Sequence, residues 1–216
     1  MKIISVIGQK GGIGKSTIAG NLGALAAAKY DRVAVADVDP QGTLAKWVAR
    51  REKNFAQDIA YIEIDITNIK KSIDVIRNSG CEILIIDTLP LVANYMDEII
   101  EASDLVIVPT KASLSDLETL PAVIKRVYRK TNMGFVINEV KNGTNVLNQS
   151  IELITNSLKY AGTVMATIPS TVDISQAWGE GKGLLEFNSS NKASVQFTEL
   201  FKQVEEITSL KKNKIA

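Results

Sequence analysis

The sequence predicts an α/β fold, a mostly parallel central sheet with helices on both faces. Short, β-branched apolar runs recur along the chain, each separated from the next by a stretch able to form a helix. The runs are apolar throughout rather than alternating, as strands covered on both faces are. The first of them, Ile3-Ile4-Ser5-Val6-Ile7, breaks into a glycine-rich turn and re-emerges as a helix. In such a sheet, ligands gather at the C-terminal ends of the strands.

In chain order, the helix after the glycine turn runs to about Lys29, and Arg32 leads into a strand from Val33 to Asp37. A helical stretch from Ile69 to Asn78 passes through Ser79-Gly80 into Glu82-Ile83-Leu84-Ile85-Ile86-Asp87. Leu105 to Pro109, Gly134 to Asn138 and Thr163 to Pro169 repeat the strand pattern, and Tyr61-Ile62-Glu63-Ile64 adds a strand nearer an edge. Phe197, Leu200, Phe201, Val204 and Ile207 fall at helical spacing, which predicts a terminal helix packed on the sheet, followed by the basic tail Lys211-Lys212-Asn213-Lys214. With no repeat, low-complexity tract or linker, residues 1–216 are expected to form one domain.

Composition narrows the chemistry. A net charge of +1 announces no global affinity for nucleic acid, so any such surface must be a local patch. The absence of histidine removes the Ser-His triad and most zinc sites. The single cysteine, Cys81, excludes an internal disulfide framework and any site needing several thiolates from one chain. What remains is carboxylates, lysines and a metal held by oxygen. The N-terminus opens directly on a strand and no apolar run approaches membrane length, so a cytoplasmic location without membrane insertion is expected.

The candidate site begins at Lys10-Gly11-Gly12-Ile13-Gly14-Lys15-Ser16-Thr17. Glycines allow backbone N–H groups to turn inward, and a helix start adds partial positive charge, which together make a phosphate cradle. Lys15 is expected on the β/γ-phosphates, and the Ser16 hydroxyl on Mg²⁺. Asp87 closes an apolar strand, where a carboxylate can accept a hydrogen bond from a metal-bound water. Asp37 and Asp39 stand two apart, so on an extended chain they point the same way and repel unless a cation or proton relieves them.

The strict phosphate-loop pattern asks for glycine at position 9, which is Gln9, and the loop instead carries a second lysine at Lys10. With those residues and Asp37-Val38-Asp39-Pro40-Gln41, the chain resembles the ParA/MinD family of deviant Walker A P-loop ATPases, most of all its short partition ATPases. The resemblance implies an ATP-dependent homodimer in which Lys10 reaches the partner's ATP, Asp39 orients the attacking water and reaches the Mg²⁺ shell, and Asp37 supports it. It also implies Asn138 and Pro169 near adenine, a strand from Asp104 ending at Pro109-Thr110, and a C-terminal signature from Ala177 through Gly183. Leu89 stands where the family more often has proline. One cysteine argues against the related nitrogenase iron proteins, which need two per subunit. Short partition ATPases bind DNA without sequence preference and leave operator recognition to a centromere-binding, ParB-like partner. Two alternatives stay open: a related positioning ATPase with other cargo (division site, conjugation or organelle), and a metabolic P-loop ligase or kinase. On the surface, Lys125, Arg126, Arg129 and Lys130 read as four cations on one helix side, either a phosphate-binding stripe or a solvated helix end.

Overall fold

Each apolar run becomes a strand of one sheet in the computed structural model, which describes residues 1–90, 94–141, 145–157 and 162–210. The strands are β1 (Lys2–Val6), β2 (Val33–Asp37), β3 (Ile59–Tyr61), β4 (Ile83–Asp87), β5 (Leu105–Lys111), β6 (Asn132–Val140) and β7 (Thr163–Pro169). They pair in parallel in the order β3-β2-β4-β1-β5-β6-β7. Between and after them come α1 (Lys15–Ala27), α2 (Thr43–Asn54), α3 (Ile69–Asn78), α4 (Met96–Ala102), α5 (Leu114–Leu117) and α6 (Leu120–Val127). The remaining helices are α7 (Asn145–Glu152), which continues as a π-helical turn at Leu153–Ser157, then α8 (Val172–Glu180), α9 (Leu184–Phe187) and α10 (Lys192–Thr208).

Two cores explain why the runs are continuously apolar. Side chains alternate across a strand, so Ile4 and Val6 of β1 pack with α1, α2, α8, α9 and α10 on one face. Ile3 and Ile7 pack on the other face with α3, α4 and α6. Strand interiors are therefore mostly apolar at odd and even positions alike; the buried Ser5 of β1 is satisfied by the Ser103 hydroxyl. Because β1 lies at the centre, with β4 on one side and β5 on the other, the loop leaving its C-terminal end opens where the chain direction across the sheet divides.

The structure corrects the sequence reading in four places. The edge strand pairs at Ile59–Tyr61, two residues upstream of the predicted Tyr61 to Ile64 stretch, because the register with Val33, Ala34 and Val35 of β2 begins at Ile59 and its last bond is from the Ile62 N–H to the Val35 carbonyl at 2.9 Å. Pro109 does not end its strand; β5 continues to Lys111 with Pro109 opposite Val136. In α10, Phe197, Leu200, Phe201 and Val204 are buried as expected, but Ile207 is 37% exposed, because the buried stripe continues through Thr208 and leaves Ile207 on the outer side. The basic tail lies outside the described residues. Finally, the cationic stripe is broken: α6 ends at Val127, and Arg129 sits beyond it at φ +65°. Arg126 and Lys130 turn to Asp97 of α4 at 3.1 and 2.8 Å, and Lys130 also meets Glu101 at 3.2 Å, acids remote in sequence that local spacing could not reveal.

A buried arginine fastens α2 to the C-terminal part of the chain. Arg51 is 1% exposed and bonds the carboxylates of Asp58 and Glu186 through paired contacts of 2.7–2.8 Å. Its guanidinium also donates to the Gly181 carbonyl at 3.2 Å. Gly181 adopts φ +75°, and a Cβ there would lie 2.3 Å from the Arg51 nitrogen, so both conformation and close approach require glycine. Trp47 stacks on Trp178 with ring centroids 5.5 Å apart. The segment from Ala177 to Gly183 thus serves as the seat of α2. Replacing Arg51 with alanine should cost about 2–3 kcal/mol in urea unfolding, below the range for fully buried pairs because the two acids keep some water. A loss under about 0.5 kcal/mol would mean that solvent alone satisfies those acids.

Candidate nucleotide site

The phosphate loop is shaped by what it leaves unsatisfied. Gly14 stands at the N-cap of α1 at φ +96° and supplies no side-chain cap, so the first-turn N–H groups face the cleft. A Cβ on Gly14 would come within 2.1 Å of the Asn138 amide. That amide donates to the Ile13 carbonyl at 3.0 Å, which ties β6 to the loop. Gly12 likewise requires positive φ, at +69°.

An open cleft of about 740 Å³ lies above the loop. Gly11, Gly12, Gly14, Lys15, Ser16 and Thr17 form its floor, with Asp39 on one wall and Asn138 and Glu139 on another. Ser170, Thr171, Ile174 and Ser175, which follow β7, close the far side. Pro169 is not part of that lining; the residues just after it are. Their local signal was in the sequence, since Thr171 caps α8 by accepting from the Asp173 N–H. Glu139, at φ +54°, carried no such signal.

Lys15 is buried beneath the cleft, where its ammonium donates to the Lys10 carbonyl at 3.2 Å. Burial lowers its pKa, and the carboxylates of Asp87 and Asp39 partly oppose that. Asp87 is 1% exposed and pairs in register with Val6 and Asp37 on either side. Among the described residues neither of its carboxylate oxygens has a hydrogen-bond partner. Burial pushes its pKa up to about 7; the Ser16 hydroxyl nearby works against this, and the charge of Asp37 adds to it. The next residue, Thr88, anchors the strand end by donating to the Val6 carbonyl at 2.9 Å.

Asp37 and Asp39 retain part of the repulsion their spacing suggested: burial raises the Asp37 pKa and the charge of Asp39 adds to it, while backbone N–H groups work against both. Asp37 turns to α2, accepting from Leu44 and Ala45 N–H at 2.9 and 3.3 Å and from Asp39 N–H at 3.0 Å. It caps a helix that begins at Thr43 behind Gly42 without a side-chain cap of its own. Asp39 accepts from Gln41 N–H at 2.9 Å and stays on the cleft wall. Lys10 stands outside the cleft lining. Its ammonium donates to the Ser115 carbonyl and pairs with Asp116 at 3.1 Å.

This donor set fits a magnesium ion that arrives with phosphate. Among the described residues no three acidic, histidine or cysteine groups cluster to hold a metal alone, so water and phosphate oxygens would complete the shell. The unpartnered, buried Asp87 carboxylate beside Ser16 is the observation that calls for such a guest. The pH consequence has a definite sign. Asp87 has a higher pKa folded than unfolded, so its contribution to stability falls as pH rises from about 4 to 7. In nucleotide-free protein, Asp87→Asn should therefore stabilise more at pH 8 than at pH 5, by roughly 2 kcal/mol in urea unfolding. Equal effects at both pH values would show that Asp87 is ionised without cost.

Comparison with known proteins places this geometry. The chain is 26% identical to the sporulation initiation inhibitor protein Soj of Bacillus subtilis, over 94% of this chain and 98% of that one. It is 32% identical to the maintenance of carboxysome distribution protein A of Gloeobacter kilaueensis, over 58% of this chain and 56% of that one. The septum site-determining protein MinD of Pyrococcus horikoshii, solved in complex with Mg-ADP, superposes with a TM-score of 0.75 at 17% identity, covering 99% of both chains. The family model for the CobQ/CobB/MinD/ParA nucleotide binding domain matches residues 4–185. With the phosphate loop, the capped Asp39 loop and the buried Asp87 all inside that span, the chain belongs to the CobQ/CobB/MinD/ParA nucleotide-binding domain family.

Proposed function

We propose that this protein is a Mg-ATP-dependent ATPase that dimerises on ATP and partitions plasmid or chromosomal DNA. The observation that carries the reading is the unlike placement of two lysines in one loop. Lys15 is buried under the cleft, whereas Lys10 stands on its rim with 37% of its side chain exposed, aimed away from its own phosphate site. A cation so placed does nothing for its own nucleotide and is available to a second subunit's.

In this reading Lys15 and the N–H groups of the loop and first helical turn hold the phosphates, while Ser16 and Asp87 hold the ion, with Asp39 at its outer shell. Bound Mg²⁺ supplies charge neutralisation on the phosphate oxygens. Asp39, fixed by the Gln41 N–H and by the Asp37-capped start of α2, orients the attacking water. In a chain without histidine, a carboxylate must do so. Asn138 sets the loop against β6, and the wall that follows Pro169 receives the base. The Mg-ADP complex of the Pyrococcus horikoshii neighbour and the family match support the nucleotide and ion. The ATP-bound dimer binds DNA without sequence preference, and a centromere-binding partner stimulates hydrolysis and release. The likeness to the carboxysome distribution protein favours a second reading, the same ATPase cycle with a different cargo.

Three substitutions separate the roles. Lys15→Ala should abolish Mg-ATP binding in calorimetry. Lys10→Ala should bind ATP yet stay monomeric in light scattering, losing about 2–5 kcal/mol of dimerisation energy, as when one member of an interfacial charge pair is removed. Asp39→Ala should bind and dimerise but accumulate as a long-lived dimer. Normal dimerisation and hydrolysis by Lys10→Ala would instead favour an ordinary phosphate-loop enzyme. DNA binding should require ATP and weaken steeply with salt; filter binding that is indifferent to nucleotide would point to the other cargo.

A further inference from the structure

Lys10 is held twice within its own subunit. Its backbone carbonyl accepts from the Lys15 ammonium at 3.2 Å. Its side chain reaches α5, where the ammonium donates to the Ser115 carbonyl and pairs with the Asp116 carboxylate at 3.1 Å. Asp116 is itself positioned: its side chain is only 14% exposed and accepts from the Ser113 hydroxyl at 2.5 Å. Burial works to raise the Asp116 pKa, and the hydrogen bonds from Ser113 and Lys10 outweigh it, so the carboxylate stays ionised. Nothing in the loop alone demands this contact, since Lys10 and Asp116 lie more than a hundred residues apart and meet only because β1 and β5 are neighbours.

We infer that Asp116, with the Ser115 carbonyl, is a latch that stores Lys10 in its own subunit and restrains dimerisation until ATP is bound. This rests on the reading above, in which Lys10 serves the partner's nucleotide. Phosphate entering the cleft competes for the Lys15 ammonium and so removes the first of the two holds, at the Lys10 carbonyl. The second hold then yields at modest cost, because Asp116 is not abandoned when Lys10 leaves. It keeps the Ser113 hydroxyl, and the Lys111 ammonium bears on it from the end of β5. Lys111 in turn pairs with Glu139 at 2.7 Å, and Glu139 lines the nucleotide cleft. Charges therefore alternate from Lys10 through Asp116 and Lys111 to Glu139 on the cleft wall. A half-exposed ion pair of this kind is weak enough to open and strong enough to lower the fraction of subunits that present Lys10.

The test is the dimer dissociation constant in a nonhydrolysable ATP analogue, measured by sedimentation equilibrium. Asp116→Asn keeps an acceptor for Ser113 while removing the charge, and should dimerise about three- to tenfold more tightly than wild type. Its affinity for the analogue as a monomer should stay within about twofold, since Asp116 is not among the cleft-lining residues. Ser113→Ala, which takes away the hydroxyl that Asp116 keeps when Lys10 leaves, should strengthen the latch and shift dimerisation the opposite way, by less. Circular dichroism and melting establish that each variant is folded, and either folded variant suffices for the comparison. Unchanged or weaker dimerisation of Asp116→Asn, or tighter dimerisation of Ser113→Ala, overturns the latch. The outcome is separable from the reading beneath it. If Lys10→Ala dimerises like wild type, the lysine does not act across subunits at all. If Lys10→Ala stays monomeric while the Ser113 and Asp116 variants match wild type, only the latch fails.

Discussion

A carboxylate sealed from water with no hydrogen-bond partner among the described residues is the constraint around which this structure is arranged. Asp87 ends the strand next to β1, within reach of the charge on Lys15, and both lie under a loop whose first-turn amides are uncapped. Burial penalises the Asp87 charge, although Lys15 offsets part of that, and the loop amides stand uncapped at an open cleft. A divalent cation arriving with phosphate would give each of these groups a counterpart. The parallel sheet is what makes the arrangement possible. Its register sets Val6, Asp37 and Asp87 side by side, and the turns after three strands open on one cleft.

Around that centre, the supporting contacts divide between fixing and releasing. Asp37 fixes the start of α2 and thereby the Asp39 loop, while Arg51 fixes the other end of the same helix to Gly181 and Glu186. Asn138 and Thr88 fix the loop and the strand end. Lys10 is different in kind. It is held by a half-exposed ion pair and a carbonyl contact to a four-residue helix and by the Lys15 ammonium on its own carbonyl, restraints that a bound phosphate can undo. The floor of the cleft is therefore fixed by many contacts, and Lys10 at its rim by few.

The strands and the phosphate loop were legible in the sequence because their signals are local. Apolar runs, glycines at positions 11, 12 and 14, and the helical pattern from Ile69 to Asn78 need no knowledge of distant residues. The clearest misreading involves partners far away in the chain. Lys125 to Lys130 looked like a stripe until Asp97 and Glu101 of α4 came alongside. Asn138 stands on the cleft wall, and its amide is tied to the Ile13 carbonyl across 125 positions, a bond that no local signal gave. The partner of Lys10 was invisible for the same reason. No spacing rule links Lys10 to Asp116, because their meeting is a property of strand order.

The claim that the charges of this site are closed by Mg-nucleotide can be tested directly by thermal unfolding of the wild-type protein. The melting temperature should be compared in saturating ATP analogue with magnesium and with the metal chelated. A ligand present at about a hundredfold its dissociation constant stabilises by about 2.7 kcal/mol, which for a chain of this size is a rise of about 5–10 °C. The account expects a rise of that order with magnesium and a clearly smaller one without it, since the buried Asp87 finds its counter-ion only in the first case. Equal rises with and without the metal would contradict it.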